Sequence, residues 1–284
     1  MILQRIGVVG AGMMGAEIAL VFALAGKDVL LSDASAEIRE SVLDRLDTVL
    51  AKGIKRGAYD QTQRDLALAG LAVTAELADF ADRDLVIEAV FEDAGIKGDV
   101  FKRLDQICPP STILASNTST LPIADLARAV VGERLERFLG THFFAPVSRM
   151  ELVEVIPGPT TSKEILESVM EACREAAKTP IRVKDVAGFA VNRALHAFLV
   201  EAARLVEEGV VSAEDMDTAC KLGLGHPLGP CQLMDLAGNH LVLQVQNILE
   251  DAYGERFRAR PNLEELVEDG KLGRGTGQGW LNYD

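Results

Sequence analysis

Residues 5–15 of this 284-residue chain read Arg5-Ile6-Gly7-Val8-Val9-Gly10-Ala11-Gly12-Met13-Met14-Gly15, and this stretch determines the fold class. It joins a predicted strand, Ile6 to Val9, to a helical pattern that runs to about Ala25. In such a unit Gly10 permits the tight turn, Gly12 lets the backbone approach a pyrophosphate, and Gly15 allows the helix to pack closely on the strand. The stretch therefore predicts a dinucleotide site formed by Gly10, Ala11, Gly12, Met13, Met14 and Gly15. An ordinary tight turn is the alternative.

Asp33 strengthens this interpretation. It ends the second predicted strand, about 20 residues after the glycine turn, where a carboxylate binds the adenine ribose hydroxyls of a dinucleotide. A carboxylate there also repels the 2'-phosphate of NADP. We therefore predict NAD as the cofactor. The alternative is that Asp33 only caps a helix starting at Ala34.

Short β-branched runs alternate with helical patterns through residue 184, which is typical of a mostly parallel sheet with helices on both faces. The predicted strands are Arg5 to Val9, Val29 to Ser32, Leu71 to Thr74, Leu85 to Ala89, Ile113 to Ser116 and Phe138 to His142. Two further apolar runs, Leu152 to Ile156 and Ile181 to Val183, flank a helix near Lys163 to Ala177 and extend the sheet. An unusually long helical stretch, which contains the basic cluster Lys52, Lys55 and Arg56, is expected roughly from Ala36 to Leu68.

The strand signal stops after Lys184. Helical patterns follow over Val191 to Glu208, Asp215 to Leu222 and Leu241 to Tyr253. We therefore predict an α/β fold with two domains: a Rossmann-type, doubly wound domain at residues 1–184 and a smaller all-helical domain at residues 185–284. The glycine-rich end, Gly270 to Gly279, is either an ordered tail or a mobile loop.

The composition narrows the classes of partner. The chain is 48% hydrophobic with a formal charge of −14, so we expect a cytoplasmic globular protein that binds neither nucleic acid nor an anionic membrane. No apolar run is long enough to span a bilayer, and the amino end has no basic region or cleavage site. The four cysteines have no metal-ligand or redox spacing, so we predict buried thiols and no metal site.

Four histidines are present, and His142 differs from the other three. His196 lies in an apolar helical stretch, where core packing is expected, and His226 and His240 have no neighbours at metal-ligand spacing. His142 ends a predicted strand on the side of the sheet that holds the nucleotide turn. If the connection after it reverses direction, Glu154 can meet its side chain. A histidine held by a carboxylate suits a base that removes a hydroxyl proton, although an incidental strand-end histidine and a surface glutamate are equally compatible with the spacing.

Several segments resemble, in order and spacing, the successive signatures of the 3-hydroxyacyl-CoA dehydrogenases. They are Ala115-Ser116-Asn117-Thr118-Ser119, His142-Phe143-Phe144-Ala145-Pro146, Met150-Glu151-Leu152-Val153-Glu154-Val155, Gly188-Phe189-Ala190-Val191-Asn192-Arg193 and Gly225-His226-Pro227-Leu228-Gly229-Pro230. With the glycine turn they cover nearly the whole chain. The resemblance is closest to the stand-alone bacterial 3-hydroxybutyryl-CoA dehydrogenases.

The resemblance implies roles for particular residues. His142 would be the general base, Glu154 would stabilise its imidazolium, and Ser119 and Asn192 would bind the substrate, with Ser119 also near the cofactor. The remaining implied contacts are Glu92 and Lys97 with NAD, and Lys52, Lys55 and Arg56 with the phosphates of CoA. From the residues alone, Ser119 reads as a loop residue, Asn192 as a helix cap, and Glu92 with Lys97 as a solvated charge pair. The family also implies a homodimer through the helical domain.

Two departures from the family stand out. Ala145 replaces a common asparagine that helps to hold the nicotinamide half of NAD, and Gly275 replaces a commonly basic residue, with Arg274 adjacent. Three alternative functions remain: a dehydrogenase of free hydroxy acids, a non-catalytic NAD(H)-binding protein, and a decarboxylating hydroxyacid dehydrogenase. The last requires a catalytic lysine, which the stretch Val191 to Val206 lacks.

Overall fold

The computed structural model describes residues 1–283, and within them eight strands form one sheet. The strands are β1 (Arg5–Val9), β2 (Asp28–Ser32), β3 (Leu71–Thr74), β4 (Leu85–Glu88), β5 (Ile113–Ser116), β6 (Phe138–Phe143), β7 (Leu152–Pro157) and β8 (Thr179–Arg182). Their order across the sheet is β3-β2-β1-β4-β5-β6-β7-β8. All neighbours pair in parallel except β6 and β7, which are antiparallel. The predicted doubly wound sheet is confirmed.

The strand order reverses direction between β1 and β4. From β1 the chain builds outward through β2 and β3, and it then crosses to β4 on the other side of β1. In open α/β sheets, ligands bind at the carboxyl ends of the strands beside such a switch point. The glycine turn after β1 and the residues after β4 therefore lie where a ligand is expected.

The helices of this first unit cover both faces of the sheet. They are α1 (Met13–Leu24), α2 (Ala36–Lys55), α3 (Gln61–Ala69), α4 (Ala94–Ile107), α5 (Ile123–Leu126) and α6 (Lys163–Glu175). The largest buried apolar cluster joins α1, α2 and α6 to the central strands; α1 is almost wholly apolar, with Ile18, Leu20 and Phe22 fully buried. The Rossmann-type unit spans Met1–Val186.

The long helical stretch expected roughly from Ala36 to Leu68 is not continuous. The chain forms two helices there, because Gly57 takes a positive φ of 73° just after α2 ends. Asp60 then starts α3 with a capping box, in which its side chain accepts from Gln63 N and the Gln63 side chain accepts from Asp60 N. The local turn chemistry at Gly57 and Asp60 outweighs the continuous helical periodicity.

A second compact unit begins at Ala187 and is helical. Its described residues form α7 (Val191–Glu207), α8 (Ala213–Gly223), α9 (Pro230–Ala237), α10 (Asn239–Tyr253) and α11 (Pro261–Glu268). Three of these match the predicted helices to within two residues at each end. The other two, α9 and α11, each have only eight residues and start at a proline, which suits the first turn of a helix but hides a short helix from periodicity.

The glycine-rich tail is ordered. Asp235, on α9, is 2% exposed and accepts hydrogen bonds from Trp280 N at 2.9 Å, Leu281 N at 2.9 Å and Tyr283 Oη at 3.0 Å. Gly279 packs so closely on Asp235 that a Cβ atom would overlap its carboxylate. Of the two alternatives left by composition, the structure has the ordered one.

The four cysteines are buried and unpaired, as predicted. Burial raises the pKa of Cys108 to about 11 and of Cys173 to about 12, so neither is a reactive thiolate at neutral pH. In residues 1–283 no helix is both long and apolar enough to cross a membrane.

Candidate active site

The glycine turn joins β1 to α1 with very little space. Gly10 has a φ of 101°, and a Cβ atom on it would lie 2.6 Å from the carbonyl oxygen of Ala89. A Cβ on Gly15 would overlap the carbonyl oxygen of Gly10, so α1 can approach the turn only with glycine there. Gly12 differs, because a Cβ on it would meet nothing within 4 Å. It is the N-cap of α1 and faces open space, with no side-chain cap on the helix within residues 1–283.

Asp33 is tied to the same turn. Its Oδ2 accepts a hydrogen bond from Ala11 N at 2.8 Å, and its Oδ1 accepts from Ser35 N at 2.9 Å. The residue that caps α2 is Ser35, whose hydroxyl accepts from Ile38 N at 3.3 Å. The guanidinium of Arg39 donates to the Asp33 carbonyl oxygen at 2.6 Å. Asp33 therefore connects the end of β2 to the glycine turn and is not the cap of the helix.

His142 and Glu154 meet across the antiparallel pair β6 and β7. They are direct register partners, and His142 Nδ1 lies 2.8 Å from Glu154 Oε2. His142 is 4% exposed and Glu154 is fully buried. The other ring nitrogen, Nε2, lies 3.1 Å from Ser119 Oγ. In the tautomer protonated at Nδ1, the ring donates to Glu154 and accepts from the Ser119 hydroxyl.

Glu92 holds the loop that carries Ser119. Its Oε1 accepts from Thr118 Oγ1 at 2.6 Å, Ser119 N at 2.8 Å, Thr120 N at 2.9 Å and Thr120 Oγ1 at 3.0 Å. Burial raises the pKa of Glu92, but Lys97 and these hydrogen bonds outweigh it, and the net shift is downward. Glu92 is therefore a fixed anion whose hydrogen bonds set the backbone around Ser119.

Lys97 is buried in an ion-pair network and is not part of a solvated pair. It is 1% exposed, and its Nζ lies 2.7 Å from Glu88 Oε1 and 3.2 Å from Glu92 Oε2. Glu88, the last residue of β4, also accepts from Ser116 Oγ at 2.7 Å. Sequence reasoning missed Glu88, although a charged residue at the end of an apolar strand beside the switch point was a usable signal.

Asn117 links the two strand ends that carry the site. Its Oδ1 accepts a hydrogen bond from Phe143 N at 2.9 Å, which joins the end of β5 to the end of β6. The residue belongs to the Ala115–Ser119 signature, but its spacing alone gave no reason to separate it from its neighbours. Through this bond, the loop with Ser119 and the strand with His142 are held together.

The other predicted site residues lie on other helices and loops. Lys52, Lys55 and Arg56 are exposed at the carboxyl end of α2. Asn192 is half-buried in the first turn of α7, whose N-cap is Ala190, so Asn192 is not the helix cap. Ala145 and Gly275 are both exposed.

The remaining histidines have other surroundings. His196 is 5% exposed, and burial lowers its pKa to about 4, which agrees with the predicted core packing. His226 packs edge-on against Phe198, with ring centroids 5.5 Å apart. Among residues 1–283, no group of three or more His, Cys, Asp or Glu side chains is arranged to hold a metal ion.

The chain is similar to known proteins along nearly its whole length. The family model for the 3-hydroxyacyl-CoA dehydrogenase NAD binding domain matches residues 5–186, and that for the C-terminal domain of the same enzymes matches residues 188–283. The 3-hydroxybutyryl-CoA dehydrogenase of Clostridioides difficile is 39% identical, over 99% of this chain and 100% of the relative. A probable 3-hydroxybutyryl-CoA dehydrogenase of Bacillus subtilis is also 39% identical, over 99% of this chain and 98% of the relative.

Solved structures agree. The crystal structure of (S)-3-hydroxybutyryl-CoA dehydrogenase from Ralstonia eutropha superposes with a TM-score of 0.95 at 35% identity, and the match covers 99% of each chain. The similarity therefore extends through both units of the chain.

Proposed function

Because this chain belongs to the 3-hydroxyacyl-CoA dehydrogenase family, we propose that it interconverts a short-chain (S)-3-hydroxyacyl-CoA, such as 3-hydroxybutyryl-CoA, and the 3-ketoacyl-CoA, with NAD as the cofactor. The single observation that carries the mechanism is the relay Glu154–His142–Ser119, with contacts of 2.8 Å and 3.1 Å and with Glu154 and His142 buried. The short chain length is taken from the relatives named for 3-hydroxybutyryl-CoA.

The residues of the first unit fit NAD. Gly12 leaves open space at the amino end of α1, where helix N–H groups and the helix dipole favour a pyrophosphate. Asp33 presents a carboxylate beside this turn for the ribose hydroxyls. When bound, NAD supplies the acceptor for the hydride that leaves the 3-carbon of the substrate.

His142 acts as the general base in the oxidation. Its Nε2 removes the proton of the 3-hydroxyl, while its Nδ1–H stays hydrogen-bonded to Glu154. The ring becomes an imidazolium beside a fully buried carboxylate, where the two opposite charges attract strongly because little water screens them. In the reverse direction the same imidazolium returns the proton to the 3-oxygen.

Ser119 helps to place the oxygen that reacts. Its hydroxyl lies within hydrogen-bonding distance of Nε2, so an oxygen bound next to Nε2 is within reach of both groups. During reduction the hydroxyl can polarise the 3-carbonyl as it accepts hydride. For Asn192, the family resemblance supports a role in substrate binding.

The remaining assignments complete the proposal. Lys52, Lys55 and Arg56 are exposed cations that suit the phosphates of CoA, and Lys97 with Glu92 lies beside the Ser119 loop, where NAD contacts are proposed. The boundary near residue 184 separates the NAD-binding domain from a domain for substrate binding and dimerisation. We assign a cytoplasmic homodimer without nucleic-acid or membrane partners.

One assay tests the proposal. The purified protein is given NADH and acetoacetyl-CoA, free acetoacetate or longer 3-ketoacyl-CoAs, and NADH oxidation is followed by absorbance. We expect turnover with acetoacetyl-CoA. Turnover with free acetoacetate alone would identify a hydroxy-acid dehydrogenase, and NADH binding without any turnover would identify a non-catalytic binding protein.

A further inference from the structure

We propose that Lys178, together with Glu17 and Tyr59, is a positioning residue for the loop that connects the His142 strand to the Glu154 strand. This β6–β7 loop comprises residues 144–151. The proposal rests on the proposed function, because it concerns the geometry of the His142–Glu154 pair during turnover.

Lys178 binds the loop at two points. It lies between α6 and β8, is 9% exposed, and its Nζ donates to the carbonyl oxygens of Val147 at 2.6 Å and Met150 at 3.0 Å. The next residue, Thr179, donates its N–H to the carbonyl oxygen of Glu151 at 2.8 Å. One short segment at the start of β8, Lys178 and Thr179, therefore holds the loop at Val147, Met150 and Glu151.

Glu17 and Tyr59 hold the middle of the loop from two other elements. Glu17, on α1, accepts a hydrogen bond from Ser148 N at 2.7 Å, and Tyr59, between α2 and α3, donates to the Ser148 carbonyl oxygen at 3.2 Å. Both backbone groups of Ser148 are thus fixed by side chains. The Tyr59 ring lies against α2 at Gly53, where a Cβ atom would overlap it.

The presence of a buried lysine at position 178 requires a physical reason. Burying an ammonium group costs free energy, and here burial lowers the pKa of Lys178 against the opposing influence of Glu151, Glu17 and Cys173. An apolar side chain of similar length would fill the space without that cost. What only the lysine supplies is a set of donors aimed at two loop carbonyl oxygens, and these fix the conformation of the loop.

The loop matters because it connects the strand that carries His142 to the strand that carries Glu154, and these two residues form the pair proposed to react. His142 lies two residues before its start, and Glu154 lies three residues after its end. Reacting groups lose large factors in rate when they are misplaced by about 1 Å. Loosening the loop should therefore reduce turnover and weaken the contact of Glu154 with the imidazolium, without emptying the cofactor site.

The test compares Lys178→Met with Lys27→Met in the full chain. Lys27 is a matched control, since it is also buried, at 6% exposure, and its Nζ pairs with Glu175 Oε2 at 2.6 Å. It directly precedes β2, at the amino ends of the parallel strands, whereas the glycine turn and the β6–β7 loop follow the carboxyl ends of β1 and β6. Thermal stability, kcat, KM for NAD and the pH profile of 3-hydroxybutyryl-CoA oxidation are measured for both variants. A third variant, Tyr59→Phe, keeps the ring on Gly53 and removes one bond to the loop.

We expect both lysine variants to lose stability, but only Lys178→Met to lose kcat, by about 10-fold to 100-fold, with KM for NAD nearly unchanged. Its pH profile should move toward lower pH, as expected for a weakened Glu154 contact. Tyr59→Phe should show the same changes to a smaller degree, and it decides the matter if Lys178→Met does not fold. An inactive wild type would reject the proposed function. An active wild type whose loop variants keep the kcat and pH profile of Lys27→Met would reject the positioning role.

Discussion

His142 and Glu154 occupy the same register position in the antiparallel pair β6 and β7, with Nδ1 and Oε2 2.8 Å apart. Side chains at directly opposed positions of an antiparallel pair point to the same face of the sheet and lie close together. A shift of one residue in register would move one of the two to the other face. The contact is therefore set by backbone pairing as well as by the side chains.

Removal of the proposed base tests the chemistry first. We expect His142→Ala to lower kcat by about 10² to 10⁴ while NADH still binds, because the glycine turn and Asp33 are untouched. The measurements are steady-state kinetics and NADH binding by fluorescence. Loss of NADH affinity together with kcat would indicate that the substitution disturbs the fold around β6.

Replacement of the carboxylate tests its electrostatic role. Glu154→Gln keeps the shape of the side chain and removes its charge, so an imidazolium at His142 gives up its proton more readily. We expect most of the rate to be lost and the pH profile of 3-hydroxyacyl oxidation to shift toward lower pH. An unchanged rate with an unchanged profile would exclude this role for Glu154.

Asp33 should control the choice of cofactor. We expect the wild type to prefer NAD over NADP by at least about tenfold in kcat/KM, which corresponds to about 1.4 kcal/mol. Asp33→Ala should relax the preference by removing the repulsion, and the guanidinium of Arg39, already held at the Asp33 carbonyl oxygen, adds a nearby cation. Asp33→Asn is the control, since it keeps an acceptor for Ala11 N. Equal use of both cofactors by the wild type would refute the prediction.

A substitution at Ala145 tests the clearest departure from the family. The residue is exposed on the β6–β7 loop, so an asparagine can be accommodated there and can hydrogen-bond the nicotinamide half of NAD. One neutral hydrogen bond is worth about 0.5 to 1.5 kcal/mol, or roughly a twofold to twelvefold change in affinity. We expect Ala145→Asn to lower KM for NAD severalfold and to leave acyl-chain preference unchanged. A changed chain-length profile with an unchanged KM would place Ala145 at the acyl pocket.

His196 predicts how stability depends on pH. Burial lowers its pKa from 6.5 to about 4, so below pH 6.5 the unfolded chain binds a proton that the folded chain does not. The contribution of His196 to the free energy of unfolding is fully present above pH 6.5 and is lost as the pH falls toward 4. Between about pH 7 and about pH 5 the loss should be about 2 kcal/mol. Urea unfolding, followed by the fluorescence of Trp280, the sole tryptophan, should show this loss in the wild type and a smaller one in His196→Gln.

Much of the fold could be predicted from local patterns in the sequence. Predicted strands such as Arg5–Val9 and Ile113–Ser116 have the bounds seen in the structure, because buried parallel strands are short apolar runs bordered by turn residues. The break at Gly57 was missed, since a turn of five residues hardly disturbs helical periodicity when both flanking helices are amphipathic. The short helices α9 and α11 were missed for lack of length.

The candidate site could be predicted from the sequence only in part. The pairing of His142 with Glu154 could be anticipated, because a reversing connection after a strand brings nearby residues together. The bonds of Lys178 to Val147, across 31 positions, and of Ser116 to Glu88, across 28, depend on how separate elements pack, and no local pattern records them. The motifs thus located the groups proposed to react but not the side chains that hold them in place.

The bonds between Asp235 and the last described residues bear on how the protein is made. Trp280, Leu281 and Tyr283 follow Asp235 by 45 to 48 positions, yet they satisfy its buried carboxylate. Domains generally fold as units during synthesis, the amino-terminal one first. The Rossmann-type unit can therefore fold while the ribosome is still translating, whereas in the helical unit Asp235 has Asn239 Nδ2 as a donor but lacks Trp280 N, Leu281 N and Tyr283 Oη until residues 280–283 have emerged. A nascent chain stalled before that point would carry one finished unit and one that is still incomplete.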